Sequence, residues 1–334
     1  MVSIISRSIA LLQELQHPSG LFSASKAART GYNLAWIRDN IYIALGLEAA
    51  KKLAELKKTY RALLDILLKH EYKIDWMIKE PNPKEPFRYI HARYHPETKT
   101  ELHDEWGNKQ NDAVGALLFK IGELERKGVK IIRNEHDTRL LQKLVHYLQA
   151  IEYWQDKDNG MWEENEEVHA SSIGACVAGL KSISAVVDVP KELILKGEAA
   201  LHKLLPSESD TKKEDLALLS LIYPYNIVND QQREAILKNI EKSLIREKGL
   251  IRYKGDKYYS NGSEAEWVFG FPWLATIYKQ LNNPEKYSFY MKKTLEAANK
   301  EGELPELYYG KTAKHNENSP LGWAQAMFLV AVEA

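Results

Sequence analysis

Apolar residues return at helical spacing along the whole chain, and the segments between these stretches alternate between short and long. The periodic stretches are 3–17, 38–55, 57–78, 108–126, 135–155, 169–185, 189–204, 211–221, 229–246, 264–281, 284–300 and 319–333, and alternating strand patterns are scarce. An all-α fold of twelve helices follows. Only a few residues separate the second helix from the third, the sixth from the seventh and the tenth from the eleventh. Long irregular segments join the first to the second, third to fourth, fifth to sixth, ninth to tenth and eleventh to twelfth. If the helices run up and down, every odd-to-even connection lies at one end, where loop-borne function collects. Two helix starts are legible locally: Asp188 with Pro190 ahead of KELILKG, and Asn283 with Pro284 ahead of EKYSFYMKK, where proline pre-sets φ for the first turn. No Gly/Ser-rich linker, low-complexity tract or solenoid repeat divides the 334 residues, so 1–334 reads as one helical domain with a loop-rich face.

Charge narrows the partners. Lys plus Arg equals Asp plus Glu at 46 each, so there is no summed basic field to attract nucleic acid or anionic lipid, and a neutral small molecule suits the balance. Eight Trp and eighteen Tyr supply a large core and would also suit a carbohydrate site. The lone Cys176, in SSIGACVAGL, permits no intramolecular disulfide and points to a reducing compartment. The start MVSIISRSIALLQEL has no cationic region, continuous apolar run or small-residue cleavage site of a signal peptide. No window approaches the roughly 20 apolar residues of a membrane helix. A soluble, cytoplasmic protein is the expectation.

The long segments carry a consistent set of side chains. They contain AWIRDN, HARYHPETKTELHDEWGNKQND, DKDNGMWEENEEVHA, GLIRYKGDKYYSNGSEAEW and EGELPELYYGKTAKHNENSPLGW. Aromatic faces stack on the C–H surfaces of a polyol, while carboxylates and Arg forks bind adjacent hydroxyls. Cleaving a glycosidic bond needs two carboxyl groups in different protonation states. Glu163 and Glu164, straight after Trp162, are candidate acids, because an adjoining indole and a neighbouring carboxylate both raise a carboxyl pKa. Glu306, in LPELYY, is the candidate base; the plainer alternative makes WEENEE a solvated acidic loop and Glu306 a helix-neighbour charge.

Other signals point elsewhere. His91 and His95 have a metal-like spacing, but prolines flank HARYH and no adjacent Glu accompanies it, so backbone-anchoring or substrate-binding histidines are favoured over a metal site. Cys176 lies in an apolar helical stripe and reads as a buried small hydrophobe. There is no phosphate-binding Gly loop, Rossmann fingerprint or G-x-S-x-G elbow, so neither nucleotide nor acyl-transfer chemistry is expected, and no cofactor or metal is implied.

The ordered set GLFSAS, WIRDN, HARY, DEWGNKQND, GMWEE, HASSIGA, GLIRY, LPELYYG and PLGWAQA resembles glycoside hydrolase family fifteen, the glucoamylase family. It is also similar to the amino-terminal domain of phosphorylase kinase regulatory subunits. The resemblance runs from about Ser19 to Ala331. It implies an (α/α)6 barrel of six outer and six inner helices with a pocket at the end bearing the long loops. It further implies Glu163 as general acid, Glu306 as general base, Glu164 binding sugar on the leaving side, and Arg38 and Asp39 gripping hydroxyls of the terminal glucose. Trp36 would shape the pocket floor, with Trp106, Gln110, Asp112 and Trp162 at further pocket positions. An inverting enzyme leaves about 6.5 to 9.5 Å between its carboxyls for water, and loops from opposite sides of a barrel mouth can provide that gap. One departure is LPEL where secreted members often read LPEQ, which removes an amide next to the expected base.

The activity implied is an exo-acting, inverting α-glucosidase for short α-glucosides such as isomaltose, maltooligosaccharides or trehalose. The alternative is a non-catalytic sugar-binding or regulatory module like the kinase-subunit domain. A third reading, β-glycoside or uronide hydrolysis on the same barrel, rests on analogy alone.

Overall fold

The computed structural model describes residues 2–102 and 106–333. Among these residues there are thirteen α-helices: α1 (Val2–Leu15), α2 (Ile37–Ala49), α3 (Leu53–Lys69), α4 (Glu71–Lys79), α5 (Asn111–Arg126), α6 (Glu135–Ala150), α7 (Ala170–Ile183), α8 (Lys191–Leu204), α9 (Leu219–Ile222), α10 (Asp230–Ser243), α11 (Gly270–Gln280), α12 (Pro284–Glu296) and α13 (Gly322–Glu333). Helices α2, α5, α7, α9, α11 and α13 each pack against the next, and α13 closes back onto α2. Outside them run α1, α3 with α4, α6, α8, α10 and α12. This is the all-α (α/α)6 toroid, and among the described residues no helix is long and apolar enough to cross a membrane.

Burial explains the two layers. Helix α7 is buried over nearly its whole length, whereas α10 buries only Ile236, Leu237 and Ile240. An inner helix must be apolar all round and an outer one only along a stripe. The tightest seam lies between α5 and α7, where a Cβ on Gly115 would fall 2.4 Å from the carbonyl carbon of Ala175. The missing side chain there lets the two backbones touch. The ring's interior is filled by aromatics: Tyr42 stacks on Trp323 at 4.3 Å, Trp323 on Phe269 at 4.8 Å, and Trp273 packs beside them.

Several helix limits differ from the periodic stretches. The stretch 57–78 is broken at His70, whose ring reaches the Lys99 carbonyl at 3.0 Å while Lys69 Nζ donates to the Thr98 carbonyl at 2.8 Å. The stretch 211–221 shrinks to α9 and a preceding 3₁₀ turn, because the Asp215 carboxylate accepts the Ala217 N–H at 2.8 Å and starts the helix late. Asn283 caps α12 ahead of Pro284 as expected, but α8 starts from Pro190 with no side-chain cap.

Among the described residues four two-residue strands staple the long loops. β1 (Ala35–Trp36) pairs antiparallel with β2 (Arg93–Tyr94), and β3 (Glu266–Trp267) with β4 (Leu307–Tyr308). The second pairing uses residues the periodicity assigned to a helix, so α11 waits until Gly270. Every inner helix starts at the end of the toroid that carries these staples. The partial positive charges of the helix N-termini therefore gather at the loop-rich end.

Candidate active site

At that end lies a cavity of about 280 Å³. Its walls are aromatic (Tyr32, Trp36, Trp106, Trp162, Tyr258, Trp267, Phe269, Trp323), and into them are set Asp39, Glu163, Glu164, Glu306, Arg38 and Arg252. Phe269 and Trp323 line it and stack on each other, and Trp323 stacks in turn on Tyr42, so buried aromatics of the core back the cavity. Eight of the ten site residues expected from the sequence, Trp36, Arg38, Asp39, Trp106, Trp162, Glu163, Glu164 and Glu306, line it together. Gln110 and Asp112 do not; they lie behind Arg38, buried. Asp104 and Glu105 of the DEWGNKQND motif lie outside the described residues.

Local structure explains how the acids arrive. Glu163 sits at φ +60°, a left-handed conformation rare for a residue with a side chain. It ends a turn that begins at Gly160, also left-handed, where a Cβ would meet the His169 ring at 2.8 Å. Glu306 precedes β4; its N–H donates to the Asn318 carbonyl at 2.9 Å and its carbonyl accepts from the Val268 N–H at 3.1 Å. Asp39 stands in the first turn of α2.

The two adjacent glutamates have matching supports. Arg38 forks onto Asp112 at 2.5 and 3.0 Å and presents Nη1 to Glu163 Oε1 at 3.3 Å. Arg252 forks onto Asp256 at 2.7 Å through each of two nitrogens and reaches Glu164 Oε1 at 2.7 Å. Each guanidinium thus bridges a carboxylate behind it and one of the pair in front. Glu163 also accepts from Gln110 Nε2 at 2.9 Å and from the indole N–H groups of Trp106 at 2.6 Å and Trp36 at 3.3 Å. Glu164 accepts from Lys212 at 2.8 Å and the Tyr253 hydroxyl at 2.6 Å.

These surroundings set protonation. Burial alone would push Glu164 up, but the charges and hydrogen bonds of Arg252, Lys212 and Tyr253 outweigh it and hold the carboxyl below its usual range. The expected rise for an acid next to Trp162 therefore fails for Glu164, and the Trp162 indole N–H goes instead to Asp215 at 2.7 Å. Glu306 is 1% exposed, and burial raises it above the ordinary glutamate range despite hydrogen bonds from Tyr32 at 2.6 Å, Asn318 at 2.7 Å and Asn316 at 2.5 Å. Asp39 is pushed up to about 7, chiefly by burial; Arg38 pulls it down, and Glu163 and Glu306 push it up.

Sequence reasoning singled out neither Tyr32, Tyr258 nor Arg252, nor Trp267 and Trp323. Four of the five fall inside loop motifs already read, GLIRYKGDKYYSNGSEAEW and PLGWAQA, where an excess of aromatics was the available signal, while Tyr32 lies just ahead of AWIRDN. His91 Nδ1 accepts the Arg93 N–H at 3.0 Å and His95 Nδ1 the Glu97 N–H at 3.3 Å, which are backbone-anchoring roles. Cys176 is buried, with Sγ 3.3 Å from the Asn111 carbonyl. Among the described residues no group of three or more His, Cys, Asp or Glu could hold a metal ion.

Residues 2–189 match the family described as glycosyl hydrolases family 15. The chain belongs to that family. Two relatives extend the likeness. A probable phosphorylase b kinase regulatory subunit alpha of Caenorhabditis elegans is 29% identical over 269 residues, covering 67% of this chain and 21% of that protein. An uncharacterized glycosyl hydrolase of Methanocaldococcus jannaschii is 25% identical over 366 aligned residues, covering 99% of this chain and 55% of that protein. This family 15 chain thus spans about a fifth of the one relative and about half of the other. Among solved structures, a glycosidase variant in complex with glucose superposes with a TM-score of 0.84 at 18% identity, covering 99% of this chain and 95% of that one. That likeness is one of fold.

Proposed function

We propose that this family 15 chain is an exo-acting, inverting α-glucosidase that releases glucose from the non-reducing ends of short α-glucosides, with 1–334 as one catalytic domain. The observation that carries the reading is that Glu163 and Glu306, from loops far apart in sequence, line one aromatic pocket backed by buried aromatics of the core. A pocket backed in this way admits a chain end and not a chain interior. Glu163 protonates the leaving oxygen, and Glu306 removes a proton from the water that attacks the anomeric carbon. Asp39, whose carboxyl receives no hydrogen bond from another side chain among the described residues, accepts from hydroxyls of the bound sugar. The glycosidase complex with glucose supports a sugar as ligand. A cytoplasmic setting agrees with the single cysteine.

The deciding experiment follows the anomer of released glucose by NMR over a panel of α-linked disaccharides. Initial formation of β-glucose is expected; release of no glucose from any member, or of α-glucose first, overturns the reading. A second reading, a non-catalytic sugar-binding module, is favoured by the similarity to phosphorylase kinase regulatory subunits. It predicts glucose binding without hydrolysis.

A further inference from the structure

Arg38 borders the cavity but is only 2% exposed, and most of its donors point away from the space a sugar would fill. Nε and Nη2 go to Asp112, and Nη2 also reaches Gln110 Oε1 at 2.9 Å and the Gly160 carbonyl at 3.1 Å. Only Nη1 faces forward, and it meets Glu163 Oε1. Gln110 forms a second arm to the same atom: its amide nitrogen donates to Glu163 Oε1 at 2.9 Å and to the Gly107 carbonyl at 2.8 Å. Asp112, 1% exposed and absent from the cavity wall, has no route to a ligand.

We propose that Asp112 and Gln110 are positioning residues that aim the Glu163 carboxyl, Asp112 through Arg38 and Gln110 directly. The inference rests on the reading of Glu163 as the proton donor. A left-handed backbone at Glu163 is not a conformation its own side chain favours, so the aim of the carboxyl depends on its partners. Those partners also sort its two oxygens. Arg38 and Gln110 both donate to Oε1, and the indole N–H groups of Trp106 and Trp36 both donate to Oε2. As the bond from the anomeric carbon to the leaving oxygen breaks, its electron pair goes to that oxygen, which takes the Glu163 proton. Glu163 is left as a carboxylate already facing Arg38. Asp112 fixes the guanidinium through two parallel bonds, a geometry that an amide cannot reproduce because it offers one acceptor oxygen instead of two.

The test compares two leaving groups in Asp112→Asn and in Gln110→Leu. A disaccharide alcohol needs the proton; fluoride, leaving from α-glucosyl fluoride, needs it far less. Each variant is expected to lose about 100-fold in kcat on the disaccharide, the scale of a 1 Å misplacement, and less than about threefold on the fluoride, with KM little changed on both. Equal losses on the two substrates, as general damage to the fold would give, overturn the proposal; so does full activity on both. If wild-type protein hydrolyses neither substrate, the hydrolase reading fails separately. Crystal structures of the variants then decide: a Glu163 carboxyl displaced from Trp106 Nε1 by about 1 Å or more supports the positioning role, and an unmoved one overturns it.

Discussion

Asn318 holds Glu306 at both ends: its carbonyl accepts the Glu306 backbone N–H at 2.9 Å, and its side-chain amide donates to the Glu306 carboxylate at 2.7 Å. Under the proposed reading Glu306 is a base that must be ionised, and the donors that favour its charge also keep it in place. Because burial outweighs them and raises the Glu306 pKa, the acid limb of the kcat/KM profile is expected above the ordinary glutamate range. Asn318→Ala removes one stabilising donor and should move that limb to still higher pH, with activity at neutral pH reduced by roughly tenfold. A limb that stays put or moves down would separate Glu306 from the observed titration. Glu306→Gln should cost about 10³-fold in kcat.

Glu164 lines the cavity, is tied to Arg252, Lys212 and Tyr253, and by the family resemblance would bind sugar on the leaving side. Glu164→Gln keeps the shape and removes the charge. KM for a disaccharide should rise about tenfold with kcat within about threefold, the signature of lost uniform binding. Steady-state kinetics on the purified variant reads this directly, and a fall in kcat with unchanged KM would place Glu164 in the chemical step instead.

His169, at the start of α7, faces Glu208 at 3.3 Å and lies close enough to Asp158 to feel its charge. Burial lowers its pKa, but the hydrogen bond to Glu208 and the charges of Asp158 and Glu208 prevail and lift it to about 9 from 6.5. A folded pKa above the unfolded one gives stability that is complete below pH 6.5 and disappears as pH rises through about 9. The effect is on the order of 3 kcal/mol. Thermal denaturation from pH 6 to 10 should show a fall in Tm across that window, and His169→Gln should be less stable at neutral pH and lack this component of the slope.

The seam between α5 and α7 predicts a packing failure. Gly115→Ala would place a methyl carbon 2.4 Å from the Ala175 carbonyl carbon, so one helix must move. A loss of about 2 kcal/mol in denaturant unfolding is expected, and wild-type stability would mean that the helices lie farther apart than described.

The helices were legible in the sequence because burial on one or all faces leaves a period that survives without knowledge of neighbours. What stayed hidden depended on partners distant along the chain. Nothing near His70 announces that the Lys99 carbonyl will interrupt a helix, and nothing in EAEW shows that Glu266 and Trp267 will pair with Tyr308 and Leu307. The same holds at the site. Glu163, Glu306 and Asp39 stand in recognisable motifs, yet only the folded chain puts Asp112 behind Arg38 or Tyr32 against Glu306. Arg252 lay in a motif already read, but an arginine in a loop gives no local sign that its charge will be held by Asp256 and turned toward Glu164.

The aromatic stack formed by Phe269, Trp323 and Tyr42 bears on the order of events in a catalytic cycle. If the chain hydrolyses as proposed, the mouth is both the way in and the way out, and a freed sugar must leave before another chain end can enter. Under the proposed reading, sliding along a polymer between cuts would be precluded, and accumulating glucose would compete with substrate for the same doorway.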